Sequence, residues 1–460
     1  MCKFYLLNFQ RNILKNLQQW SERSNRKPLV LRGARQVGKT TAVKIFAEKF
    51  DHFVSLNLEK TDDREFFTRF DRLKDIVAAI FFRHNISSEE KRVLLFIDEI
   101  QAEPKAVAQL RYFYEDYPGL YVIAAGSLLE TLLDFRNTFP VGRTEYLVMR
   151  PVAFSEFLKA AGESAAADLL SQVPLPDYAY PKLLQLFHTY ALIGGMPEII
   201  QQFVEHQDFT RLKPLYTTLL TAYQDDVQKY ASSEARAQVL QHCIQNIFLE
   251  AAKRIKFQGF GYSNYGSRDI GEALRTLEKA MLVNLVYPTT EPLLPGTPDK
   301  RKQPYLQVVD TGLMNFFTGL QESLIGTRDL HEAYRGRIIH HWVGQQLLST
   351  MQLPVENLRF WVREKKQSTA EVDFIIPFEN KLVPVEVKSG TAGKLRSLHQ
   401  FMEVSNHSFA LRLYAGPVLL QQAVTSGGKN FYLLNLPYFL GEKLIEYVGW
   451  MKEEILSSAK

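Results

Sequence analysis

The chain has 460 residues, enough for two or three packed domains, and its 46% hydrophobic, 12% aromatic and 23% charged residues exclude a largely disordered chain. A formal net charge of +5 permits an acidic partner such as nucleic acid without demanding one. Two cysteines, Cys2 and Cys243, exclude a disulfide framework and a cysteine zinc site; no apolar stretch approaches the roughly twenty residues of a membrane helix, and the N-terminal apolar run breaks too early for a signal peptide. The expected setting is a reducing cytoplasm, with no membrane partner.

In chain order, Asn12 to Arg23 reads as an amphipathic helix, followed by the apolar run Pro28-Leu29-Val30-Leu31. Next comes Gly33-Ala34-Arg35-Gln36-Val37-Gly38-Lys39-Thr40, a complete G-x-x-x-x-G-K-[ST] phosphate loop, and a helical segment opening at Thr41. The glycines let successive backbone N–H groups close round a β-phosphate. Lys39 then meets the β/γ oxygens and the Thr40 hydroxyl ligates Mg²⁺, while the dipole of the following helix adds attraction. Arg35, inside the loop, is placed to face phosphate or a partner.

A strand is expected at Phe53 to Leu58 and a charged helical stretch from Asp63 to Arg83. Val93-Leu94-Leu95-Phe96-Ile97-Asp98-Glu99 then reads as a buried parallel strand that delivers two acids to its C-terminal edge. Ligands bind beyond that edge, so Asp98 would reach the Mg²⁺ shell and Glu99 would polarise the attacking water. A helix near Val107 to Tyr114 and a strand over Leu120 to Ala125 complete a βα alternation, which means a parallel sheet with helices on both faces. Ser127, just past that strand, is either a sensor of γ-phosphate or water, or the N-cap of the next helix. Arg143, before the run Thr144 to Val148, is either a surface arginine or one that offsets charge at the γ-phosphate, in cis or across an oligomer contact.

From about Phe154 the periodicity turns helical, broken by Pro174-Leu175-Pro176 and turning at Gly194-Gly195-Met196-Pro197-Glu198. Cys243 to Val286 suggests short helices, Asp269 to Met281 the best of them, and then the strand Leu282 to Tyr287. That pattern suits a winged helix in which Lys253, Arg254, Lys256, Arg268 and Arg275 meet phosphates, or a plain packing module. Farther on, Glu371-Val372-Asp373-Phe374-Ile375-Ile376 and Leu382 to Lys388, joined by Glu379-Asn380, form a β-hairpin. Glu386 and Lys388 lie two apart on one face and Asp373 can join them, as a metal-dependent phosphodiesterase requires; an exposed hairpin of alternating charge is the other reading.

The runs Leu29 to Thr41, Ile97-Asp98-Glu99-Ile100-Gln101, Ala125-Gly126-Ser127 and Gly194 to Glu198 resemble the prokaryotic AAA-type ATPases that carry a C-terminal domain of unknown function related to the PD-(D/E)XK nuclease fold. Val309-Asp310-Thr311-Gly312-Leu313, Glu371 to Phe374 and Pro384-Val385-Glu386-Val387-Lys388-Ser389-Gly390 match that second domain. With the patterning above, the expected organisation is an α/β P-loop NTPase core over residues 1–158, a helical lid or linker over 159–240 and a winged-helix-like segment over 241–295, to which the resemblance adds a restriction-nuclease-like α/β domain over 296–460. The resemblance also implies ATP rather than GTP, with Gly33, Ala34, Arg35, Gln36, Val37, Gly38, Lys39, Thr40 and Thr41 round the phosphates, and a nuclease-like triad of Asp373, Glu386 and Lys388. Where such domains place an acid on the helix before the hairpin, Ile338 to Leu348 offers His340, His341, Gln345 and Gln346, so metal affinity there should be weak; the two histidines are expected at the surface. The expected activity is Mg²⁺-dependent ATP hydrolysis. Its purpose is DNA binding or cleavage by the tail, a switch that recognises a protein partner, or simple stabilisation of the chain.

Overall fold

The computed structural model describes residues 10–87, 89–90, 92–126, 142–231, 233–321, 336–363, 370–390 and 393–458. Strands β1 (Leu29–Arg32), β2 (His52–Asn57), β3 (Val93–Asp98), β4 (Tyr121–Gly126) and β5 (Glu145–Val148) form a wholly parallel sheet in the order β2-β3-β4-β1-β5. Helices α1 (Ile13–Ser21), α2 (Lys39–Ala47), α3 (Thr61–Arg69), α4 (Leu73–Arg83) and α5 (Pro104–Asp116) cover it. Side chains alternate across a strand, so Leu29, Leu31, Leu94, Phe96 and Ile123 pack with α1 and α2, whereas Val30, Leu95, Ile97 and Val122 pack with α3, α4 and α5. Burial on both faces explains why these strands read as continuous apolar runs; each such side chain contributes about 1.5–3 kcal/mol.

The expected helical stretch from Asp63 to Arg83 is two helices. Phe70 and Arg72 are extended, with ψ of 139° and 132°. This break lets Phe66 and Phe67 on α3, and Ile76, Val77 and Ile80 on α4, bury into the same core from different directions.

A helical array follows: α6 (Phe154–Ala160), α7 (Ser164–Leu170), α8 (Tyr180–Ile193), α9 (Pro197–His206), α10 (Lys213–Tyr230), α11 (Glu234–Glu250) and α12 (Ser267–Lys279). Gly194, at φ 75°, ends α8, and Pro197 starts α9 where its fixed φ and missing N–H suit a first helical position. Strands β6 (Val283–Val286), β7 (Pro288–Thr289) and β8 (Tyr305–Val308) come next; β6 and β8 pair antiparallel and α13 (Thr311–Phe317) follows.

Helix α14 (Arg337–Thr350) leads into β9 (Phe360–Val362), β10 (Glu371–Val372), β11 (Phe374–Phe378), β12 (Lys381–Val387), α15 (Arg396–Val404), β13 (Phe409–Tyr414), β14 (Leu419–Val424), β15 (Asn430–Pro437) and α16 (Leu444–Ser458). The second large sheet has the order β11-β12-β13-β15-β14, with β11 and β12 an antiparallel hairpin and β12, β13 and β15 parallel. One apolar core runs unbroken from the first sheet through α8 to Val385, Leu411 and Leu434 of the second. Phe187 sits at its centre, 5.1 Å from Phe154 and 5.6 Å from both Trp342 and Tyr438 by ring centroid. Among the described residues, no helix is long and apolar enough to cross a membrane.

Candidate nucleotide site

The phosphate loop leaves the C-terminal end of β1 and closes on the start of α2. Close approach dictates its glycines: a Cβ on Gly33 would lie 2.5 Å from the Met149 carbonyl oxygen, and Gly38 caps α2 at φ 97°. Gln36 also takes a positive φ, 64°, a strained setting that such loops retain because the surroundings hold it. The Lys39 ammonium turns back onto the Gly33 and Ala34 carbonyl oxygens at 2.8 and 2.9 Å. Burial pulls its pKa down to about 8, against the opposing pull of Glu99 and Asp98.

Strand order brings the acids to this loop. The Thr40 hydroxyl donates to Asp98 Oδ2 at 2.7 Å, joining the first turn of α2 to the end of β3. Burial raises the Asp98 pKa, offset in part by that hydrogen bond and reinforced by the neighbouring Glu99. Glu99 takes a left-handed φ of 51°, donates its N–H to Asp98 Oδ1 at 3.1 Å and accepts from the Gln101 side-chain amide. A hydroxyl and a buried carboxylate in contact are a hard oxygen donor pair of the kind Mg²⁺ takes, and the glycine cradle fits a phosphate.

The surrounding cleft, about 480 Å³, is lined by Arg11, Arg35, Gln36, Gly38, Lys39, Thr40, Thr41, Asp98 and Glu99, and from α9 by Pro197, Glu198 and Gln201. Loop residues Ala34 and Val37 turn inward and are buried. Arg35 bridges the cleft to the helical array: its guanidinium pairs with Asp226 of α10, which raises its pKa, and the Tyr223 hydroxyl donates to its carbonyl oxygen at 3.2 Å.

The sequence does not point to Arg11, which donates to the Val37 carbonyl oxygen at 3.0 Å, nor to Gln101, Asp226 or the α9 residues. The signal for α9 was the Gly194-Gly195 turn; its place beside the loop follows only from topology.

Arg143 requires a correction. It precedes β5, whose first residue Glu145 aligns with Leu29 at the N-terminal end of the parallel sheet, and it pairs with Glu115 at 3.1 Å. The phosphate loop lies at the other end of β1, so Arg143 cannot reach it in cis. Ser127 lies outside the described residues, although β4 does neighbour β1, with Gly126 aligned to Arg32.

In the C-terminal sheet the hairpin pairs Phe374 with Val385. Asp373 Oδ2 accepts the Val387 N–H at 2.7 Å, and the Lys388 ammonium donates to Glu386 Oε1 at 2.6 Å. Glu386 Oε2 is buried without a hydrogen-bond partner among the described residues. Burial raises the pKa of both acids, and for Glu386 repulsion from Asp373 adds to it. Among the described residues, no three His, Cys, Asp or Glu side chains gather as a metal-binding group.

The histidines of α14 are a second correction, because neither is at the surface. His341 is fully buried and its Nε2 accepts the Val308 N–H, while His340 is stacked between Tyr305 and Phe374 with centroids at 4.7 and 4.5 Å. Burial lowers their pKa values to about 3 and about 4 respectively. Gln345 Oε1 accepts the Thr311 N–H at 2.7 Å and Gln346 Nε2 donates to the Tyr438 carbonyl at 3.0 Å, so both glutamines are engaged in packing.

Residues 25–158 match the family model of an AAA domain. This segment is similar to AAA domains. Residues 184–324 and 335–438 match two domains of unknown function, DUF8612 and DUF4143. Among solved structures, the chain is similar to a Walker-type ATPase of Pyrococcus abyssi, at 14% identity over 67% of this chain and 96% of that one, with a TM-score of 0.44. It is also similar to the Thermotoga maritima RuvB Holliday junction branch migration motor, at 19% identity over 60% and 89% with a TM-score of 0.28. A third likeness is to the Aeropyrum pernix ORC1 protein in complex with DNA, at 13% identity over 66% and 91% with a TM-score of 0.25. No curated protein matches the chain. An AAA domain of this P-loop type implies nucleotide binding, typically with Mg²⁺.

Proposed function

We propose that the protein hydrolyses ATP with Mg²⁺ and that its nucleotide cycle is coupled to its C-terminal domain. The observation that carries this reading is the 2.7 Å contact between Thr40 and Asp98 in a cleft shared with Lys39 and Glu99. Lys39 would leave the loop carbonyls for the β/γ oxygens, and the loop N–H groups would hold the β-phosphate. Thr40 and Asp98 would hold Mg²⁺, which neutralises charge developing on the phosphoryl oxygens when bound. Glu99, steadied by Gln101, would orient and polarise water. ATP in preference to GTP rests on the family resemblance, and a reducing cytoplasm on the scarcity of cysteine.

For the C-terminal domain, the contact of Lys388 with Glu386 and the closeness of Asp373 support a nuclease-like reading. A second reading, a nucleotide-operated switch for a protein partner without cleavage, is favoured by α14, which supplies buried glutamines and histidines where an acid is needed. Basic residues of the winged-helix-like segment are also engaged: Arg254 pairs with Glu371 and Arg268 with Glu272.

Steady-state hydrolysis of ATP, with and without single- and double-stranded DNA, tests both. Lys39→Ala should lose nucleotide binding, while Glu99→Gln should bind and not turn over. Turnover retained in Glu99→Gln removes that residue from the role of water activator. Stimulation by DNA supports the nucleic-acid reading, and slow turnover indifferent to DNA supports the switch.

A further inference from the structure

We propose that Asp310 is a positioning residue that sets α9 against the nucleotide cleft and transmits that setting to α14, the first helix of the region 335–438. This rests on the ATPase reading above. Asp310 is fully buried and no cation pairs with it among the described residues. A buried carboxylate without a counter-ion is expensive unless several donors point at it. Here they come from three elements. Oδ1 accepts the Leu313 N–H at 3.0 Å, capping α13; Oδ2 accepts the Gly195 N–H at 2.6 Å and the Gln345 side-chain amide at 3.2 Å.

An N-cap alone would need only the bond to Leu313, which serine or asparagine supplies equally well. The other two bonds join the turn before α9 to the middle of α14. Glycines make room for this contact: a Cβ on Gly194 would collide with the Asp310 carboxylate, and one on Gly312 with the Ile193 carbonyl. On its far side, the Gly195 carbonyl accepts the Val152 N–H at 2.7 Å, so the turn is held between the ATPase domain and Asp310. Two residues later the chain enters the cleft wall at Pro197, Glu198 and Gln201.

A nucleotide that draws α9 inward must carry Gly195 with it. Leaving a buried carboxylate one donor short is costly, so Asp310 follows the turn and takes Gln345 with it. Gln345 also accepts the Thr311 N–H, which keeps α13 and α14 in register during such a shift.

Backbone hydrogen exchange on the full chain tests this, using the Glu99→Gln background, with and without ATP and Mg²⁺. The expected result is nucleotide-dependent slowing in the phosphate loop, in residues 194–201 and in α14, by about fivefold or more in α14. Asp310→Asn, which keeps the size but presents an amide to the Gly195 N–H or to Gln345, should retain slowing in the phosphate loop and lose it in α14. Unchanged slowing of α14 in Asp310→Asn overturns the proposal. Should that variant not fold, Gln345→Leu decides: α14 should lose its response while residues 194–201 keep theirs, and a retained α14 response overturns the proposal. In the protein with Asp310 intact, loop protection without any α14 response overturns it while leaving the ATPase reading standing. Absence of loop protection sinks the ATPase reading itself.

Discussion

Arg11 and Glu156 form an ion pair at 3.0 Å with side chains only 6% and 5% exposed, fastening the chain two residues before α1 to the first turn of α6. The remaining guanidinium nitrogens donate to the carbonyl oxygens of Val37, at 3.0 Å, and Arg150, at 2.6 Å. Glu156 also accepts the Ala153 N–H at 2.8 Å. Removing one partner strands the other charge in the interior. Arg11→Ala should therefore lower stability by about 3–5 kcal/mol and weaken nucleotide binding through the freed Val37 carbonyl. Urea unfolding with a parallel nucleotide titration measures both; a loss under about 1 kcal/mol would mean that the pair is not holding the loop.

Nucleotide affinity should fall as pH rises through about 8. Burial lowers the Lys39 pKa to about 8 in the free protein, and a bound triphosphate, which needs the ammonium charged, raises it again. Between the two values, binding takes up a proton, so affinity drops by up to about tenfold per pH unit. Titrations with ATP and Mg²⁺ from pH 7 to pH 9.5 check this. An affinity constant across that range would mean that Lys39 is already charged in the free loop.

The phosphate loop and the Asp98-Glu99 strand are legible because their chemistry is local: glycine spacing, a lysine, and an apolar run ending in acids. The sheet is legible for a related reason, since strands buried on both faces leave unbroken runs such as Val93 to Ile97. Partners distant in sequence are not. Arg11 meets Glu156 across 145 positions and Arg35 meets Asp226 across 191, and no periodicity encodes such pairs. His340 and His341 misled because residue type favours the surface, whereas α14 is buried on nearly every side and packs against β8 and β12. Of the two readings of Arg143 the surface one fits its place in the fold: sequence order alone leaves open whether β5 runs parallel to β1, and because it does, the residue before it sits at the N-terminal edge of the sheet.

Arg143→Ala should leave stability within about 0.5 kcal/mol, because its ion pair with Glu115 is largely solvated and Glu115 keeps Arg111 as a partner. A monomer should also hydrolyse ATP at the unaltered rate, since the side chain lies at the far end of the sheet. Turnover measured across a range of protein concentration distinguishes the alternatives. A rate that falls on substitution only where the protein is associated would assign Arg143 a role across a subunit contact.

The carboxylates of the C-terminal hairpin should make the protein less stable as pH rises. Burial and the charge of Asp373 hold the Glu386 pKa above its ordinary value of 4.5, so the folded state binds that proton more tightly than the unfolded chain does. The associated stability is fully present below 4.5 and is lost as pH rises towards the elevated folded value. Glu386→Gln removes the ionisation and the partnerless charged oxygen together, so its melting temperature should exceed that of the unaltered protein at pH 8 and the difference should shrink at pH 5. A divalent cation held by Asp373 and Glu386 would offset the same repulsion, so Mg²⁺ or Mn²⁺ at pH 8 should raise the melting temperature of the unaltered protein more than that of Glu386→Gln. Thermal melts in the four combinations of pH and metal decide between a cation site and an inert hairpin: equal metal shifts in both proteins would leave the nuclease-like reading without a metal to work with.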